Sequence, residues 1–266
     1  MVVSTDVSRS GQLGDRAKLY VREVTYSAVE AAFAAVGVGP RDRQQEDRGD
    51  GILAVLRPWV PPARVVGPWV ERLYEGLRAA NERIPQPVRM RVGMHVGPVA
   101  DDGRGLVGRA VDLACRLCDS EALKLTLAVA GRYNLVLAVS DYLYRTTVSH
   151  GGEAIEPDHY LPVRVVAKET AEIAWVRVPR LSVPPVPAQL RADPAAGAEG
   201  PPAGPPGEPA GRGDRRRAGA PSYHVDTHGG EMYVFDGSEI HDGHFGRSYA
   251  QPPAGRGGDD RPGGEG

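Results

Sequence analysis

Aliphatic runs all but stop after about residue 180, and most of the chain's 24 prolines and 34 glycines lie beyond that point. A segment so poor in apolar side chains cannot offset the entropy of ordering itself. The core must come from what precedes it, a length sufficient to bury a full hydrophobic interior. The composition predicts one folded domain over residues 1–180, a disordered Pro/Gly/Ala-rich linker over 181–221 and a disordered end over 251–266. Residues 222–250 stand apart, with aromatic and β-branched side chains between the turns "HGG", "FDG" and "HDG". Strands this short are marginal alone, so this stretch is expected to dock on a partner protein or a sheet edge.

Ahead of the boundary the hydrophobic pattern changes period several times. Ala17, Val21, Val24, Ala28, Ala31 and Ala35 recur at three and four, predicting a helix over 15–36 that "GVGP" stops. Residues 43–47 and 51–56 read as two strands joined by "GDG", since glycine accepts the positive φ of a tight turn. A second helix over 68–83 buries Val70, Leu73, Leu77 and Ala80. "VRMRVGMHVGPV" alternates Val88, Met90, Val92, Met94 and Val96 against Arg89, Arg91 and His95, a half-buried strand. "GLVGRAVDLACRLCDSE" is a third helix, with Val111, Ala114, Cys115 and Cys118 inward and Asp112, Arg116 and Asp119 outward. "NLVLAVSDYLY" is a strand with Ser140 capping a short helix, and 162–178 form a last hairpin. Strands and helices mix without alternating as βαβ units. The expected class is α+β, an antiparallel-rich sheet with helices packed on one face.

Charge excludes several functions. With 32 basic and 34 acidic side chains the net charge is −2, so no global field recruits nucleic acid or an anionic membrane. No apolar run reaches the ~20 residues that span a bilayer. "MVVSTDVSRSG" has neither the basic start nor the apolar stretch of a signal peptide. Cys115 and Cys118 cannot build a disulfide framework and read as buried thiols, which fits a cytoplasmic protein.

Three side chains could carry chemistry together. Asp6 follows the first strand, Asp50 sits in the turn of the hairpin, and Arg116 lies on a polar helix face. Two carboxylates at the ends of adjacent strands can share a hard cation that also takes phosphate oxygens. A guanidinium across the cleft would offset charge on a transferring phosphoryl group. The plainer readings stand beside these: Asp50 as the polar tip of a turn, Asp6 as an Asx-turn residue, and Arg116 paired with Asp112 one helical turn away.

The chain resembles the class III nucleotide cyclase catalytic domain, the adenylyl and guanylyl cyclase homology family. The similar stretches are "VVSTDVSRSG", "EDRGDGILAVL", "MRVGMHVGPV", "GLVGRAVDLACRL", "LVLAVSDYLY" and "VRVVAKETAEIAWVRV", in the family's order across residues 2–178. The Ala, Gly, Pro and Arg bias is similar to that of divergent actinobacterial-type members. The resemblance implies a ferredoxin-like core and a head-to-tail homodimer with active sites at the subunit interface. It also implies a cyclic nucleotide and pyrophosphate made from a nucleoside triphosphate, GTP or ATP, with two Mg²⁺ or Mn²⁺ ions. It makes Asp6 and Asp50 the metal aspartates, puts Arg116 on the transition-state arginine and Lys168 on the phosphate-binding lysine. Glu46 falls on the base-selecting position, where a carboxylate suits guanine. Two departures stand out: Asp112 replaces the family asparagine beside the arginine, and Gly105 brings no side chain to the second base-selecting position. An added carboxylate repels a triphosphate. The other reading is therefore an inactive homology module that senses nucleotide, dimerises or serves as an adaptor.

Overall fold

The computed structural model describes residues 1–84, 87–167 and 170–192. Along the chain, β1 (Val2–Val7) leads to α1 (Asp15–Ala35), then β2 (Arg43–Asp47) and β3 (Ile52–Leu56). A short α2 (Pro62–Arg64) passes through a π turn at Val65–Trp69 into α3 (Val70–Asn81). Pro68 inside that turn has no N–H to donate, which loosens the backbone ladder there. Then come β4 (Met90–His95), a two-stranded ribbon of β5 (Ala100–Asp101) and β6 (Leu106–Val107), α4 (Arg109–Cys118) and α5 (Glu121–Val129). Next, β7 (Leu135–Ser140), α6 (Asp141–Thr146) and the hairpin of β8 (Leu161–Ala167) and β9 (Thr170–Arg177) complete the sheet.

The class is α+β. Seven strands make one sheet in the order β2-β3-β1-β4-β7-β9-β8, with β4–β7 parallel and the other pairings antiparallel. Helices cover both faces of this sheet rather than one. Val3, Val7, Ile52, Ala54, Met90, Val92, Leu135 and Leu137 pack toward α1 and α3, where Phe33 and Trp69 meet at 4.9 Å between ring centroids. Their strand neighbours Val2 and Leu53 pack under α4, while Val136 and Ala138 pack under α5. Successive strand residues point to opposite faces, so strands that are apolar at both parities must be covered twice.

The helix stripes differ in detail from their expected positions. In α1 the buried residues are Thr25, Ala28, Val29, Ala32 and Phe33, whereas Ala17, Ala31 and Ala35 are exposed. Turning the helix this way buries the larger Val29 and Phe33, and burial gain scales with apolar area. In α3, Val70, Leu73 and Leu77 are buried as expected, joined by Tyr74, with Ala80 at the margin. Neither α5 nor the β5–β6 ribbon was expected from periodicity. Ser120 starts α5 by accepting a hydrogen bond from the Leu123 amide at 3.4 Å. Residues 181–192 run along the second face, where Val186 is buried and the Ala192 amide donates to Pro162 O at 2.9 Å. Among the described residues no helix is long and apolar enough to cross a membrane. Lys168, the expected interaction segment 222–250 and its surroundings lie outside the described residues.

Candidate functional site

The β2–β3 turn is set against the end of β1 by an unusual local structure. The β1–β3 ladder pairs Val2, Val3 and Ser4 with Val55, Ala54 and Leu53, and goes no further. Beyond it the Thr5 hydroxyl replaces a strand: Oγ1 accepts from the Ile52 amide at 2.9 Å and donates to Ile52 O at 3.2 Å. The Val7 amide then donates to Asp50 O at 3.0 Å. Gly51 makes the approach possible, since a Cβ there would stand 1.9 Å from Thr5 O. The sequence places a glycine beside Asp50 because the turn must lie on another backbone.

This geometry brings Asp6 and Asp50 into one electrostatic environment. Burial, opposed by the Arg91 guanidinium and reinforced by the Asp50 charge, leaves the Asp6 carboxyl above the usual carboxylate range. Arg91 stands directly across the β1–β4 ladder from Asp6 and ion-pairs with it. The same guanidinium lies 3.8 Å from Asp119 at the end of α4, and Asp119 in turn pairs with Lys124 at 2.6 Å. Asp50 is exposed and accepts a hydrogen bond from the Ser10 hydroxyl. Arg91 and Ser10 were not singled out from the sequence. Arg91 could have been reached only through the strand register, and Ser10 only through the loop that follows β1.

The other expected site residues lie elsewhere. Arg116 and Asp112 are exposed on the outer face of α4. Among the described residues neither side chain makes a hydrogen bond or ion pair, so the helix-face pair is not formed. Glu46 reaches across to the β5–β6 ribbon, where its Oε1 accepts from the Leu106 amide and its Oε2 from Arg48 Nη2 at 2.7 Å. Gly105 fits this contact, since a Cβ there would lie 3.0 Å from Glu46 Oε1.

The donor set suits a hard divalent cation. Two carboxylates that repel each other are stabilised by a shared positive ion, and Mg²⁺ commonly takes one or two protein carboxylates plus phosphate and water oxygens. Among the described residues no third His, Cys, Asp or Glu joins them in a metal-binding group.

The strand expected to have one wet face is covered on both. Gly93 lets α4 lie on β4 so closely that a Cβ would meet Ala114 O at 2.1 Å and Cys118 N at 2.5 Å. His95, on the same face, is largely buried, and its Nδ1 lies 2.7 Å from the Ser140 hydroxyl that also caps α6. Burial, aided by the charged amino terminus, holds the imidazole at about 4, below its ordinary 6.5. The unfolded chain therefore takes up the proton first as the solution is acidified. The stability this group contributes is complete above pH 6.5 and is lost as pH falls toward 4. His95→Gln is expected to remove about 1 kcal/mol of the acid-induced loss, allowing for partial solvent screening. Urea midpoints at neutral and mildly acidic pH test this, and an unchanged pH response would refute it. Cys118 is buried and Cys115 partly so; both are free thiols, and burial pushes the Cys118 thiol up.

No protein-family model matches the chain, and no curated protein matches it. Solved structures do. The guanylyl cyclase Cya2 is 18% identical over 71% of this chain and 94% of its own, with a TM-score of 0.45. The adenylate/guanylate cyclase/hydrolase from Silicibacter pomeroyi is 19% identical over 68% and 96%, with a TM-score of 0.44. The adenylyl cyclase CyaB from P. aeruginosa is 15% identical over 68% and 95%, with a TM-score of 0.45.

Proposed function

We propose that the chain is a nucleotidyl cyclase-like domain, which joins the ribose 3′-hydroxyl of GTP or ATP to the α-phosphorus and releases pyrophosphate. The observation that carries this reading is the meeting of Asp6 and Asp50, from separate segments, beside the end of β1. They would hold two Mg²⁺ or Mn²⁺ ions, which supply charge neutralisation of the triphosphate and a more acidic 3′-hydroxyl. Asp6 and Asp50 would hold those ions, while Ser10 and Arg91 fix the two carboxylates. Glu46, already anchored on the Leu106 amide, keeps acceptor capacity for the N1 and exocyclic amine donors of guanine.

Arg116 is exposed and unpaired among the described residues, well suited to act across an interface. In a head-to-tail homodimer it would offset charge at the phosphorus of its partner's site. Lys168 would contribute to phosphate binding, and the domain would work in the cytoplasm with residues 222–250 docking a partner protein.

A second reading is favoured by Asp112, whose carboxylate shares the exposed face of α4 with Arg116. There the domain binds nucleotide without turnover and serves as a sensor, dimerisation or adaptor module. Mass spectrometry of products from the purified chain with GTP, ATP and Mn²⁺ separates the two. Cyclic nucleotide is expected, reduced about 100-fold or more by Asp50→Asn. Its absence under every dimer-forming condition refutes the enzyme reading. Nucleotide binding that Asp50→Ala leaves unchanged removes the metal role as well.

A further inference from the structure

A cavity of about 570 Å³ opens between the first turns of α1 and the turn that carries Asp50. Its size falls within the roughly 300–1,000 Å³ of small-molecule sites. Val7, Leu13 and Val21 give it an apolar lining, and Leu19, 70% exposed, forms its lip. Thr25 also lines it and is only 1% exposed, yet its Oγ1 has no hydrogen-bond partner; the Tyr26 hydroxyl beside it has none either. Both oxygens are sealed from solvent, so an occupant meets the apolar lining and not these hydroxyls.

The charged groups around the cavity are unequally committed. Arg22 is taken up by Asp47 and by Gly49 O, the latter at 2.6 Å. Asp50 accepts from Ser10, and Asp15 sits in the first turn of α1, where the helix end favours a carboxylate. Lys18 makes no ion pair with any described residue, so its ammonium is left for an anion.

We propose that this cavity binds a small amphipathic carboxylate, its aliphatic body against Val7, Leu13 and Val21 and its head at Lys18. Gly49 and Asp50 form part of the wall, and Arg22 ties that turn to α1. An occupant therefore presses on the segment that sets the position of Asp50. This coupling rests on the metal reading of Asp50; the binding does not.

Isothermal titration of the full chain with decanoate tests the binding. Saturable one-site binding is expected, with decanol and the Lys18→Glu variant each weaker by about tenfold or more. Val21→Trp fills the cavity and is expected to abolish binding. Should that variant not fold, Leu19→Glu at the exposed lip is expected to weaken decanoate by about tenfold instead. Failure of decanoate to saturate, or an affinity indifferent to Lys18 and Leu19, overturns the proposal. Self-association that Leu19→Glu abolishes, without decanoate binding, also overturns it and assigns the face to a second copy. Titration of Mn²⁺ with and without decanoate reads the coupling, an affinity shift of about threefold being expected. An unshifted Mn²⁺ affinity refutes the coupling. Decanoate binding with no Mn²⁺ binding upholds the cavity assignment and removes the metal reading.

Discussion

Gly93→Ala is expected to destabilise the fold by about 3 kcal/mol, the upper part of the range for overpacking a well-filled interior. The new methyl group would stand 2.1 Å from Ala114 O and 2.5 Å from Cys118 N, both backbone atoms of α4. Backbone cannot rotate away as a side chain does, so the helix must lift off β4 as a unit. Ala110, Ala114 and Leu117 would then lose contact with the sheet they bury against. Urea denaturation gives the measurement, and a loss below about 0.5 kcal/mol would show that α4 does not lie where the structure puts it. The same lift would displace Asp119 from Arg91.

The second large effect is expected at Arg177. Its guanidinium is 4% exposed and donates to Glu71 at 2.8 Å, Glu156 at 3.0 Å and Ala154 O at 3.2 Å, while lying over the Tyr160 ring. It thereby joins β9, α3 and the segment before β8. Arg177→Met preserves much of the volume but leaves the carboxylates without their cation. Removing one partner of a buried pair costs about 3–5 kcal/mol. The lower end is expected because Glu71 keeps Arg180 at 3.4 Å and Glu156 is about half exposed. Chemical denaturation of the single variant checks this; a loss under about 1 kcal/mol would mean that the carboxylates find water at no cost.

What could be read from the sequence follows from how local each signal is. The turn chemistry of "GDG" placed Asp50 at a hairpin tip, and the spacing of Asp112 and Arg116 put both on the outer face of α4. Ser140 as a helix cap was equally local, and its hydroxyl accepts from the Leu143 amide. The second layer of helices was harder to see. Its signal was present in "ILAVL" and "LVLAV", apolar at consecutive positions as strands covered on both faces are. The charged positions of β4 obscured it, because Arg91 and His95 suggest water where the structure has α4. Gly93 between them was the cue, an interior strand glycine that marks close backbone approach. The partner of Asp6 was not legible at all. Which residue of β4 faces it depends on register, and a slip of one would exchange Arg91 for a core side chain.

The hydroxyl of Thr5 has a mechanical consequence. Where a strand pair would clamp the β2–β3 turn along its length, this turn is held by the Thr5 hydroxyl and the Val7 amide on one side and by the Arg22 and Ser10 side chains on the other. Leu53 and the residues beyond it are laced into the sheet; Asp50 is cantilevered outside it. None of these contacts is a rung of the β1–β3 ladder. Where Asp50 stands and how firmly the sheet holds together are therefore governed by different bonds, and either can change while the other is kept.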